Sequence, residues 1–270
     1  MTDKIKIHIW HTGMVLVDTA VPFRHTAAWS MGLGRGRKHK ILLPVSSYLI
    51  QHPKGNILID TGWSEVVRDG QTRQLGLTRL ASKPSLPANW SVKEHLRRVN
   101  MNVADIDFVL LTHLDTDHVS GLLDVKNARS IITSNVELVA AQKSSLRYRK
   151  TLWKGLNIQP FQYQVSGIGP LGKSYDLFND GTVQIVDTPG HTAGLSSVLV
   201  TGSNDNFVLL ASDVGYDEKN INENFLPGIL TNLEEEMNSL SWVREMSNLP
   251  NCQGIIFNHD IKIVEQEMII

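Results

Sequence analysis

From Leu110 to Gly121 the chain reads Leu-Leu-Thr-His113-Leu-Asp115-Thr-Asp117-His118-Val-Ser-Gly, which puts two imidazoles and two carboxylates within six residues at the end of an apolar run. Buried together, such groups are costly without a counter-ion. A divalent metal ion is the natural counter-ion, because imidazole nitrogen and carboxylate oxygen both ligate Zn²⁺ and similar ions. A turn here lets His113 and Asp115 face one cation while Asp117 and His118 face a neighbouring one. The plain alternative is a surface turn whose charges coincide, and it leaves the density of ligand types unexplained.

Further apolar runs each end in one ligand-type residue. Val183–Val186 leads through Asp187-Thr-Pro-Gly to His191, Leu209-Leu-Ala-Ser ends at Asp213, and Gly254-Ile-Ile-Phe-Asn ends at His259. Alone, His191 reads as an ordinary loop residue projected by a Pro-Gly turn. Together the three reinforce one another, since sheets gather active sites at strand ends.

The elements that must position these residues are mostly strands. Val-, Ile- and Leu-rich runs predict strands at Ile5–Trp10, Leu42–Ile50, Asn56–Ile59, Phe108–Thr112, Ser130–Thr133, Val183–Val186, Ser196–Val200, Phe207–Ala211 and Gly254–Phe257. Ser91-Val-Lys-Glu94 and Ser134-Asn-Val-Glu137 have the form of helix capping boxes, and Asn232-Leu-Glu-Glu235 opens a longer helix. In that helix Leu233, Met237, Leu240 and Val243 or Arg244 fall at the three-to-four spacing of one face, and its Met and Trp residues are expected to pack in the core. Strands with helices interspersed in both halves predict a layered α/β (α+β) sandwich in one domain spanning residues 1–270. Thr12–Lys40, Thr61–Trp90 and Lys143–Asp180 read as long loops, which in a compact domain usually serve function. Trp29, Met31 and Leu33 in the first of them would either line an acyl-chain pocket or fasten the loop to the core.

Bulk properties narrow the function classes. A net charge of −1 gives no global field for nucleic acid or an anionic membrane. The local run Arg35-Gly-Arg-Lys-His-Lys40 reads as a solvated loop, with a patch for an anionic substrate or partner as the alternative. The lone Cys252 precludes an internal disulfide, and the alternating N-terminus is a strand pattern and not a signal peptide. No apolar run reaches the roughly 18 residues of a membrane span. The expected location is the cytoplasm, with no nucleic-acid or membrane partner. A homodimer is left open.

The pattern His113-x-Asp115-x-Asp117-His118, followed by His191, Asp213 and His259, resembles the metallo-β-lactamase superfamily over nearly the whole chain. Leu58-Ile-Asp60-Thr-Gly62 is similar to that family's aspartate behind the metal ligands. The resemblance implies an αββα sandwich with two metal ions at one edge. Within the superfamily the likeness is greatest to N-acyl homoserine lactonases, on Asp213-Val-Gly-Tyr216, Asn258-His259-Asp260 and the long segment before Leu43-Pro44-Val45. It implies a first metal held by His113, Asp115 and His191, a second held by Asp117, His118 and His259, and Asp213 as the bridge. It further implies that Asp60 and Thr112 orient ligands, that Asp117 passes a proton, and that Tyr216 contacts substrate. The substrate would be a small lactone or ester, an N-acyl homoserine lactone first among them.

One position departs from that pattern. The superfamily usually has His where this chain has Asp115. Zinc is the expected ion, and the harder carboxylate opens the first site to iron or manganese. Asp115, Asp117 and Asp213 bring three negative charges against four from two dications, so a bridging hydroxide makes the cluster neutral and a weaker Lewis acid. Diiron relatives use a carboxylate at this place. A diiron redox or metal-binding protein is therefore a rival reading, beside another hydrolase on the same frame such as a thioesterase, phosphodiesterase or nuclease.

Overall fold

The computed structural model describes residues 4–24, 35–144 and 147–270. Trp29, Met31 and Leu33 lie outside these residues. The chain opens with β1 (Lys6–Asp18), β2 (Lys40–His52) and β3 (Gly55–Ile59), paired antiparallel in sequence. Two short helices, α1 (Glu65–Arg68) and α2 (Thr78–Ala81), and strand β4 (Lys83–Ser85) follow. Helix α3 (Val92–Arg98) leads to β5 (Phe108–Leu110), α4 (Thr116–Val119), β6 (Ser130–Ser134), α5 (Asn135–Lys143) and β7 (Ile158–Phe161). Next come β8 (Gln164–Val165), β9 (Lys173–Asp176), β10 (Val183–Asp187), β11 (Ser196–Thr201) and β12 (Phe207–Ser212). The chain closes through α6 (Glu218–Asn222), α7 (Leu233–Ser247), β13 (Cys252–Phe257) and β14 (Gln266–Ile269).

These strands form two sheets. One runs β14-β1-β2-β3-β5-β6-β7 with β4 added on β1, and the other runs β13-β12-β11-β10-β9-β8. Alternation decides the layers. Ile7, Ile9, Ile57 and Ile59 of the first sheet meet Val183, Ile185, Val198, Val208 and Leu210 of the second in one core. The opposite residues of β12, Phe207, Leu209 and Ala211, pack against Leu240 and Val243 of α7. On the far side of the first sheet, Leu58 and Val109 pack with Val92 and Leu96 of α3. The order is helix, sheet, sheet, helix: an αββα sandwich. Strands buried on both faces read as continuous apolar runs, which is why β10 to β12 are conspicuous in the sequence.

Several expectations need correction. Thr12–Asp18 is the second half of β1 and not a loop. A bulge between His11 and Met14 switches the inward parity: Ile7 and Ile9 face the other sheet, whereas Val15 and Val17 face the outer helix layer. The stretches 61–90 and 143–180 hold α1, α2 and β4, and β7 to β9, respectively. In α7 the face that packs is Glu236, Ser239, Leu240 and Val243, while Leu233 and Met237 are 44% and 54% exposed. In the basic run, Arg35 pairs with the buried Asp18 at 2.9 Å, and Arg37 and Lys38 are exposed in a short 3₁₀ turn. No helix among the described residues is long and apolar enough to cross a membrane.

Candidate metal centre

All the ligand-type residues sit where strands end, at one edge between the two sheets. Asp60 follows β3, His113 and Asp115 follow β5, Asp117 and His118 lie on α4, His191 follows β10, Asp213 follows β12 and His259 follows β13. Thr112 staples the sheets: its carbonyl accepts from Ser196 N at 3.0 Å and its hydroxyl accepts from Ser212 Oγ at 2.9 Å. The tight turn before His191 needs Gly190, whose φ is 139° and whose added Cβ would stand 2.4 Å from Glu236 Cα.

Each imidazole has its Nδ1 side committed. His118 Nδ1 lies 2.7 Å from Asp60 Oδ2, His259 Nδ1 2.7 Å from the Pro44 carbonyl and His191 Nδ1 2.8 Å from the Ile229 carbonyl. These partners only accept, so each Nδ1 carries a proton and Nε2 is the nitrogen left to ligate a metal. His113 Nδ1 lies 3.1 Å from Thr112 Oγ1, a hydroxyl that already donates to Asp60 Oδ2 at 2.7 Å, so the ring donates here too. Asp60 also accepts from Thr112 N at 2.9 Å, which gives it three short bonds. Such outer partners fix the tautomer of a metal-binding histidine.

The four Nε2 atoms converge on carboxylates. His118 Nε2 is 3.4 Å from Asp213 Oδ1, and His259 Nε2 is 3.3 Å from Asp213 Oδ2 and 3.6 Å from Asp117 Oδ2. His191 Nε2 is 3.1 Å from Asp115 Oδ2 and 3.7 Å from Asp213 Oδ2, while His113 Nε2 is 3.7 Å and 4.0 Å from the same oxygens. The groups His113–His118–Asp213, His113–Asp115–His191 and Asp117–His118–His259 each bring one ligand atom per residue within 4.8 Å of one another. His113 Nε2 and Asp213 Oδ1 are buried with no hydrogen-bond partner among the described residues. A buried lone pair and a buried carboxylate oxygen left in this way fit a cation.

The electrostatics agree. Burial would raise the carboxyl of Asp213, but His259 and His118 outweigh it and hold it well below the usual range. Burial would lower His118, but Asp213 and Asp60 raise it well above its ordinary value. His113 is pushed well down by burial and by His118, so its Nε2 stays unprotonated. Asp117 is pushed up by burial.

Two side chains that contact the centre carry no sequence signature of that placement. Arg147, just past α5, forks onto Asp115, with Nε 2.7 Å from Oδ1 and Nη2 2.6 Å from Oδ2. The same guanidinium reaches the His191 carbonyl at 2.8 Å and His191 Nε2 at 2.8 Å. Glu137 has the capping position of a helix start, but its carboxylate reaches across to Leu114 N at 2.9 Å and Gly194 N at 3.1 Å. It thereby ties the His113–Asp115 turn to the loop that carries His191. Asp117, His118, His259 and Asp213 fit one divalent cation. Asp115 and His191 do not fit a second as they stand, because Arg147 takes both Asp115 oxygens and the His191 lone pair.

Above the cluster lies a cavity of about 600 Å³. Its base holds Asp115, Asp117, Arg147, His191, Asp213 and His259, and its walls include Val15, Val17, Val21, Leu77, Leu80 and Ile229. Tyr216 lines it as well, its ring stacked on His259 with centroids 5.0 Å apart.

The fold has known counterparts. The family model of the metallo-beta-lactamase superfamily matches residues 41–251, and the chain belongs to this superfamily. Among its relatives, N-acyl homoserine lactonase AttM of Azorhizobium caulinodans is 26% identical over 231 residues, covering 85% of this chain and 86% of that one. An N-acyl homoserine lactonase of a Bacillus species is 28% identical over 221 residues, 82% of each chain. A solved N-acyl homoserine lactone hydrolase, with the product N-hexanoyl-L-homoserine at its catalytic metal centre, has the same fold at a TM-score of 0.77 and 24% identity, over 97% of this chain and 95% of that chain.

Proposed function

We propose that the chain is a metal-dependent hydrolase that opens the ring of N-acyl homoserine lactones or closely similar lactones. The observation that carries this reading is the convergence of His113, His118, His191 and His259, each by Nε2, on Asp213 at the base of an apolar-walled cavity. The relatives named as lactonases, which align over most of their length, support it. A divalent cation held by Asp117, His118, His259 and Asp213 supplies Lewis acidity, which acidifies water and polarises a carbonyl. Zinc suits this mixture of imidazole and carboxylate donors.

The remaining work falls to the chain's own groups. Val15, Val17, Val21, Leu77 and Leu80 receive an acyl chain. Burial keeps the Tyr216 phenol protonated well above its ordinary range. Its hydroxyl donates a hydrogen bond to the carbonyl oxygen as negative charge grows there, a contribution of about 2–4 kcal/mol for a typical oxyanion donor. Water adds to the carbonyl carbon, the ring carbon–oxygen bond breaks, and the departing oxygen takes a proton to become a hydroxyl. Asp117, whose carboxyl burial pushes up, is the group that passes this proton. Asp60 and Thr112 keep His118 and His113 in the ligating tautomer.

The test is a substrate panel. Purified protein is given N-hexanoyl and N-decanoyl homoserine lactone, an acyl thioester and a phosphodiester, with acid release followed at constant pH. Turnover of the lactones well above the other two is expected. Faster thioester or phosphodiester turnover would replace this reading with that of another hydrolase.

A further inference from the structure

We infer that Arg147 takes the place of one of the two cations: the centre holds a single divalent ion beside Asp213, and the guanidinium fills the position between Asp115 and His191. The inference deepens the metal-dependent reading above and rests on it.

The geometry is that of a finished cation site. Asp115 gives both oxygens to Arg147, at 2.7 and 2.6 Å, in the fork that matches a guanidinium to a carboxylate. His191 donates from Nδ1 to the Ile229 carbonyl, so its Nε2 is an acceptor, and Arg147 Nη2 lies 2.8 Å from it. Arg147 Nη1 reaches the His191 carbonyl at 2.8 Å. The side chains of Arg147 and Asp115 are each only 19% exposed, so the pair is largely out of water. An ion between Asp115 and His191 needs the lone pairs that these bonds use. A guanidinium does not deprotonate to make room.

Charge points the same way. Asp115, Asp117 and Asp213 carry three negative charges. One dication and one guanidinium balance them, whereas two dications with Arg147 in place would leave an excess of two positive charges in a buried cluster, or one with a bridging hydroxide. The pairing also accounts for a carboxylate at position 115, since an imidazole there offers at most one acceptor and could not take the fork. On the other side of Asp213 the donors stay open. His118 and His259 face Asp213, and His259 also faces Asp117, with no arginine paired to them among the described residues, where His113 Nε2 also stands unpartnered.

The experiment is a metal count on the full chain. Metal-free protein is titrated with Co²⁺ and followed by its visible spectrum, and protein loaded with excess Zn²⁺ and then desalted is measured by elemental analysis. The wild type should bind one ion per chain in a single spectral transition. Arg147→Met, which keeps the bulk but frees Asp115 and His191, should bind two, the second appearing as a new absorption band. Arg147→Lys, which keeps a cation, should stay at one. Should Arg147→Met fail to fold, the wild-type count alone decides: two ions of comparable affinity with Arg147 intact would overturn the inference and leave the hydrolase reading standing. No ion at all would remove both.

Discussion

Asp60 is the sharpest place to perturb the centre without touching a ligand. It accepts from Thr112 N, from the Thr112 hydroxyl and from His118 Nδ1, at 2.9, 2.7 and 2.7 Å, and it is buried. Its φ is 56°, a region asparagine tolerates, so Asp60→Asn changes charge and hydrogen bonding without changing shape. The amide oxygen can still accept from Thr112 N. The amide NH₂ then faces the Nδ1–H of His118, donor against donor. To relieve this the ring must move its proton to Nε2, the atom that faces Asp213. Losing one hydrogen bond to a charged group costs about 1.5–3 kcal/mol. Spread over the metal equilibrium, that is a loss of roughly 10- to 100-fold in affinity. Competition with a chromogenic chelator at fixed pH measures it, with circular dichroism to show that the variant is folded. A folded Asp60→Asn protein with wild-type metal affinity would refute the claim that this carboxylate sets the His118 tautomer.

Glu137→Ala would leave Leu114 N and Gly194 N buried without acceptors, at about 1–3 kcal/mol each, so urea unfolding should show a loss of roughly 2–6 kcal/mol. Tyr216→Phe should keep full metal content but lose catalytic rate at saturating lactone, by roughly 100-fold or more if its hydroxyl is a typical oxyanion donor; an unchanged rate would remove it from the reaction. In the metal-free protein, Asp213 raises His259, as it does His118, against the opposing effect of burial. Groups raised in the fold contribute stability that is complete below their unfolded value near 6.5 and is lost as pH climbs through the folded values. The melting temperature of metal-free protein should therefore fall as pH rises above about 6.5. Because metal binding displaces those protons, metal affinity should rise over the same interval. Parallel slopes for the two quantities would contradict the assignment.

What could be read beforehand follows from how local each signal is. Strands β10 to β12 are buried on both faces and announce themselves as apolar runs, and the ligands that follow β10, β12 and β13 lie one to four residues beyond them. The second half of β1 was hidden because the bulge after His11 breaks the alternation on which a strand is recognised. In α7 the buried face includes Glu236 and Ser239, polar residues that a hydrophobic pattern excludes, so the expected stripe fell partly on the exposed Leu233 and Met237. Asp115 could be named as a departure, but its partner could not. Arg147 lies 32 residues away in a stretch with no periodicity, and only the fold brings the two together. Glu137 looked like a helix cap because its position relative to Ser134 is right, and its second role depends on two distant loops.

Central to the account is a buried cation that makes lactone opening possible. Protein purified without added metal should contain a divalent ion, should release acid from N-hexanoyl homoserine lactone, should lose that activity on exhaustive chelation and should regain it with Zn²⁺. Undiminished ring opening by protein stripped of all metal would contradict it.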